Sequence, residues 1–189
     1  MFSFFLRTVP TFLNKFTYKC FYNLLFHLLK MRRQVVLKNL KRAFPHKNQD
    51  WYNKISSQCY KFYTKDFLEF LSFPRYFNHD KIKFKNIEIL DDALKNNKGV
   101  LFVSGHFGAF DKLFYSLATR GYALCGVAYK QKDGVADKFF KRIRENYMKK
   151  QLYKGGSSKE LKVALNNNEI LVLLSDQDAR EKGKKVNFF

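Results

Sequence analysis

His106 and Asp111 are the residues whose type and spacing could do chemistry, in the segment Gly105-His106-Phe107-Gly108-Ala109-Phe110-Asp111. An imidazole whose Nδ1 proton is held by a carboxylate presents Nε2 as a base, and the carboxylate stabilises the imidazolium that forms. Five residues along a regular helix is about 140° of rotation, so the two side chains would not meet on a straight helix. They can meet if His106 sits in a turn and Asp111 in the first helical turn, and Gly105 and Gly108 favour such a turn and close approach of a substrate. No serine or cysteine nucleophile accompanies the pair, which points to direct attack by a substrate hydroxyl. The plainer reading of the same spacing is a loop histidine bonded to backbone and an aspartate placed at a helix N-terminus.

The surrounding elements are those an open parallel sheet uses to position reactive groups. Gly99 to Ser104 is a continuous apolar run, expected as a strand buried on both faces and ending at Gly105. Helix is expected over 109–120, strand over 122–129, helix over 136–149, a Ser157- or Ser158-capped helix over 158–167, and a buried strand over 170–174. That strand leads into a second polar cluster, Ser175-Asp176-Gln177-Asp178. Strands alternating with helices give an α/β fold with a mainly parallel sheet and flanking helices, whose reactive groups gather where strands end. Upstream, 81–90 reads as a strand or connection and 91–97 as a short helix capped by Asp91 or Asp92. Residues 32–44 and 50–73 carry helical apolar spacing and stop at Pro45 and Pro74. The whole chain, 1–189, reads as one domain, with 1–31 as a membrane-associating helix, 32–75 as a helical layer and 76–189 as the α/β part.

The 189 residues include 36 Lys+Arg against 16 Asp+Glu, a formal net charge of +20, and 22 Phe. Such a balance suits a nucleic acid, an anionic membrane surface or a polyanionic substrate. No zinc-ligand spacing, ribonucleoprotein signature or basic region with heptads is present, so nucleic acid recedes. Plotted as a helix, residues 1–31 place Thr8, Thr11, Lys15, Lys19, Asn23 and Lys30 on a narrow polar stripe, and Leu13, Phe16, Phe21, Leu24, Leu25 and Leu28 over most of the rest. Such a helix fits the membrane interface or a short tilted span, with core packing as the other reading. Cys20, Cys59 and Cys125 are far apart and imply neither a disulfide framework nor a metal site, which fits a reducing compartment.

Four ordered segments carry a family resemblance: Arg32-Arg33-Gln34-Val35-Val36-Leu37-Lys38-Asn39-Leu40 through Ala43-Phe44-Pro45, then Gly99-Val100-Leu101 through Gly105-His106-Phe107-Gly108 to Asp111, then Ser175-Asp176-Gln177-Asp178, then Val186-Asn187-Phe188-Phe189. In order and spacing the chain resembles the bacterial late acyltransferases of lipid A biosynthesis, the lauroyl/myristoyl transferase family. The resemblance implies transfer of a fatty acyl chain from acyl carrier protein to a hydroxyacyl chain of a Kdo-bearing lipid A precursor. It implies the cytoplasmic face of the bacterial inner membrane as the place, an anionic glycolipid as acceptor, and no cofactor. His106 matches the family's catalytic histidine. Asp111 stands where these enzymes usually have Glu, and Asp is the form in the wider H-x4-D glycerolipid acyltransferases. Arg142, in Lys141-Arg142-Ile143-Arg144-Glu145-Asn146, falls at a functional arginine, suited to a phosphate, a carboxylate or the oxyanion of thioester attack. Asp176 matches a functional acid, with a helix cap or a basic ion-pair partner as its alternatives. The family pattern continues past Val-x-Phe-Phe, so the C-terminal elements that complete its sheet are expected to be missing here. Two other readings stay open: an acyltransferase for another glycolipid or glycerolipid, and an inactive, basic membrane-binding remnant.

Overall fold

A computed structural model describes residue 6 and residues 8–77, 82–155 and 158–177, and the chain divides into two compact units, Met1–Phe77 and Asn78–Phe189. Asp178, the 186–189 signature and Ser157 lie outside the described residues.

The first unit is helical. A 3-10 turn at Thr11–Leu13 leads into α1 (Asn14–Asn23), a π-helical turn at Leu24–Leu28, α2 (Arg33–Ala43) and α3 (Gln49–Leu71). The regular plot of 1–31 therefore fails after Asn23. The π turn closes with Leu29 N–H bonded to the Leu24 carbonyl at 2.8 Å, five residues back, and this shifts the phase of every later side chain. The shift turns Phe26 inward, where it stacks on Tyr22 at 5.3 Å and meets Tyr60 edge-on at 5.1 Å. Asn48 caps α3 by accepting from the Trp51 N–H at 2.9 Å. Tyr52, Ser56, Tyr60, Thr64 and Leu68 recur every four residues and form the buried ridge of α3. Ser56 and Thr64 have no hydrogen-bond partner for their hydroxyls among the described residues; their small size lets α1 and α2 approach this ridge. Phe12, Phe16 and Leu28 remain exposed, as do Lys15 and Lys19. Among the described residues no helix is long and apolar enough to cross a membrane.

The second unit is the α/β part. Its elements are α4 (Glu88–Leu94), β1 (Val100–Ser104), α5 (Phe110–Thr119), β2 (Leu124–Ala128), α6 (Gly134–Arg144), β3 (Lys150–Tyr153), α7 (Ser158–Asn166) and β4 (Ile170–Leu174). All strand pairs are parallel and the order is β1-β4-β2-β3. One face packs Phe114 and Leu117 of α5 and Leu90 of α4 against Leu124, Ile170 and Val172. On the other face Ala164 of α7 packs on Cys125, Leu152 and Leu171.

Three expectations are corrected here. β1 is not buried on both faces: Leu101 and Val103 are 57% and 65% exposed, because α7 covers β4 and β2 while β1 ends the described sheet. The helix expected at 91–97 begins at Glu88, so Asp91 sits in its first turn, where it accepts a hydrogen bond from the Tyr122 hydroxyl at 2.5 Å. β3 was not expected. Lys150-Gln151-Leu152-Tyr153 has no apolar run, and its polar Gln151 is buried with its backbone N–H donating to Glu145 Oε1 at 3.2 Å and its side-chain Oε1 accepting from Arg144 Nη1 at 3.5 Å.

Candidate active site

β1 and β4 are neighbours in register, Val100 opposite Ile170 through Ser104 opposite Leu174, so the residues following them emerge side by side. Ser175 N–H still bonds to the Ser104 carbonyl at 2.9 Å, one step beyond the strands. One position later Asp176 turns both carboxylate oxygens on His106: Oδ1 lies 2.8 Å from the ring Nδ1, and Oδ2 accepts from the His106 backbone N–H at 3.0 Å. Gly105 leaves room for that double contact, since a Cβ there would stand 3.3 Å from Asp176 Cβ and Cγ and would press on the carboxylate. Gly108 serves differently: its φ of +65° is the left-handed conformation the turn needs before α5. The Phe110 ring meets the imidazole edge-on at 5.2 Å and backs it from the helix side.

The site is open, with the His106 side chain 36% and the Asp176 side chain 44% exposed. The hydrogen bond from His106 holds the Asp176 carboxyl below the usual carboxylate range, with the His106 backbone N–H adding to it. An ionised Asp176 accepts a proton-bearing Nδ1, which leaves Nε2 with its lone pair directed away from the carboxylate.

Asp111 does not reach the imidazole. It occupies the first turn of α5 and accepts from Arg144 Nε at 3.1 Å and from the Tyr147 hydroxyl at 2.7 Å. Arg144 Nη1 reaches Gln151 Oε1 at 3.5 Å, and Tyr147 packs edge-on against Tyr115 at 5.8 Å. The Asp111 and Arg144 side chains are only 13% and 25% exposed. Burial opposes the Arg144 charge, but the Asp111 carboxylate outweighs it and holds the guanidinium above its ordinary value. Burial and the same carboxylate push the Tyr147 hydroxyl far up. Asp111 thus ties the start of α5 to the end of α6, and the expected His106–Asp111 contact is replaced by two separate pairs. The helix is the reason: once Phe110 begins α5, Asp111 is carried to the side facing α6.

Arg142 lies apart from both pairs. It is exposed on α6, its backbone carbonyl accepts from Asn146 Nδ2 at 2.5 Å, and its guanidinium forms no ion pair among the described residues. Of the residues singled out in the sequence, the fold brings together His106, Gly105 and Asp176 and places Asp111 and Arg142 elsewhere.

Arg144 and Tyr147 were missed, although helical phase carried a signal. Phe139, Phe140, Ile143 and Tyr147 define one face of α6 and the turn after it; Arg144 lies about 80° from its centre and Arg142 about 120°. Among the described residues, no group of three or more His, Cys, Asp and Glu side chains is placed to hold a metal ion.

No curated protein matches the chain. The family model described as bacterial lipid A biosynthesis acyltransferase matches residues 1–189, the whole of the sequence, and the chain belongs to that family.

Proposed function

We propose that the protein transfers a fatty acyl chain from acyl carrier protein to a hydroxyacyl chain of a Kdo-bearing lipid A precursor, with His106 as general base. The observation that carries this reading is the 2.8 Å contact between His106 Nδ1 and Asp176 Oδ1. Nε2 removes the proton of the acceptor hydroxyl as its oxygen attacks the thioester carbonyl. The tetrahedral intermediate then collapses, the carbon–sulfur bond breaks, and the imidazolium returns its proton to the departing sulfur. The products are an ester and the free thiol of the carrier, so neither an oxidant nor a metal enters the balance. Asp176 keeps the tautomer and offsets the imidazolium charge.

The place of action is the cytoplasmic face of the bacterial inner membrane. Exposed Phe12, Phe16 and Leu28 beside exposed Lys15 and Lys19 support an interfacial position, with the apolar rings in the acyl boundary and the cations at anionic headgroups. The net charge of +20 supports an acceptor carrying phosphates and sugar-acid carboxylates.

The test is acyl transfer from a charged acyl carrier protein to a Kdo-lipid acceptor, with membranes containing the protein. His106→Ala is expected to lower the rate by about 10²–10⁴-fold, and an unchanged rate would remove the base role. A glycerolipid acceptor is favoured by Asp111 in the place usual for Glu, and a parallel reaction with lysophospholipid separates the two: turnover of that acceptor alone would replace the lipid A reading.

A further inference from the structure

The exposed ridge of α6 is unrelated to either acid pair, and it includes Arg142. Val135, Lys138 and Arg142 follow one another at spacings of three and four, so they line one side of the helix, about 100° round from buried Ile143. The other charges of this helix are engaged. Asp137 is buried, accepting from the Tyr153 hydroxyl at 2.6 Å and the Gln131 N–H at 2.8 Å; Arg144 binds Asp111; Lys141 lies 5.6 Å from the Tyr153 ring centre and 3.7 Å from Glu145. Lys138 and Arg142 form no ion pair among the described residues, although they are like charges one turn apart, an arrangement that favours an anionic partner. With Lys141, Glu145 and Asn146 they line an open hollow of ≈ 330 Å³. Val135, 80% exposed, stands on the same ridge as an apolar contact, and exposed Lys130 and Lys132 continue it into the loop after β2. Because the strands are parallel, that loop leaves the sheet at the edge that carries His106.

We propose that the Val135–Lys138–Arg142 ridge is the docking surface for the acidic face of the acyl donor protein. The proposal rests on the donor reading given above. A protein fits better than a bilayer or a nucleic acid. Both of those present negative charge uniformly, and Glu145 within the hollow opposes that, whereas separate carboxylates on a protein surface can meet Lys138 and Arg142 and leave Val135 an apolar contact. In this arrangement Arg142 recognises the donor and does not touch the reacting atoms.

The test is equilibrium binding of labelled acyl carrier protein to the full chain, at several salt concentrations, alongside transfer kinetics. The charge reversal Lys138→Glu with Arg142→Glu is expected to raise the carrier Kd by about tenfold or more at low salt and to flatten its salt dependence. Lys162→Glu, on exposed α7, serves as the control for general charge and is expected to change Kd less than about twofold. His106→Ala should bind the carrier normally. Equal losses from the ridge and the Lys162 variants, no loss from the ridge variant, or a rise confined to the KM of the lipid acceptor would each overturn the proposal. No carrier binding by the unmodified chain, with His106-dependent transfer from a coenzyme A thioester intact, would remove the ridge and leave the acyltransferase reading. Ridge-dependent binding without His106-dependent transfer would do the reverse.

Discussion

His106–Asp176 and Asp111–Arg144 are two acid-to-base pairs of similar length, 2.8 and 3.1 Å, in very different surroundings. The first sits at the open ends of β1 and β4, with more than a third of each side chain exposed. The second lies between α5 and α6, with a tyrosine hydroxyl added and most of its surface covered. An open pair can exchange protons with a substrate at little cost to the fold. A covered pair holds elements together and is costly to break, because removing one partner strands the other charge away from water. One short motif, H-x4-D, thus contributes a residue to each: its histidine to the open pair, where we place the chemistry, and its acid to the covered one.

The widest separation between the pairs is expected from Asp176→Asn. The amide can satisfy either the ring or the backbone N–H of His106, not both, and it carries no charge, so kcat should fall by about 10²–10⁴-fold. Urea unfolding should hardly change, since Asp176 is exposed. Normal turnover in this variant would return the orienting role to another acid.

Asp111→Ala should do the opposite. It leaves Arg144 buried without its acid, and unfolding free energy should drop by about 3 kcal/mol, the lower end for a broken buried pair because Arg144 keeps some solvent contact. Tyr147→Phe, which removes one hydrogen bond, should cost about 1 kcal/mol. If Asp111→Ala proved as stable as the parent and lost activity as Asp176→Asn does, the division of roles would collapse.

The smallest effect concerns acid. The folded-state carboxyl of Asp176 lies below its ordinary value of 3.8. It therefore contributes stability that is present above pH 3.8 and is lost as pH falls through the folded value. Asp176→Asn should slightly flatten the loss of stability with acid below that pH in a denaturation series. A steeper loss in the variant would contradict the direction of the shift.

Much of the second unit was legible in residue order. The runs at 100–104 and 170–174 are apolar and bounded by glycine or polar residues, 124–128 lies within the strand expected over 122–129, and the parallel sheet follows from their alternation with helices. β3 was not legible, because Gln151 is buried through hydrogen bonds that a hydrophobic pattern does not register. The half-open state of β1 was equally hidden, since coverage depends on where α7 lands. In the first unit, composition marked the helices, but the π turn at Leu24–Leu28 has no signature of that kind and it decides which rings face inward.

Residue order was enough to settle the family, the alternating fold and His106 as the group at a strand end, because these depend on local type, spacing and periodicity. Only the tertiary structure decided which acid serves that histidine. Asp111 is five residues away and Asp176 is 70, yet parallel pairing of β1 with β4 brings the distant one to the ring while a helical turn carries the near one away. Sequence separation measures chain length, and contact depends on the registers and crossings that packing imposes.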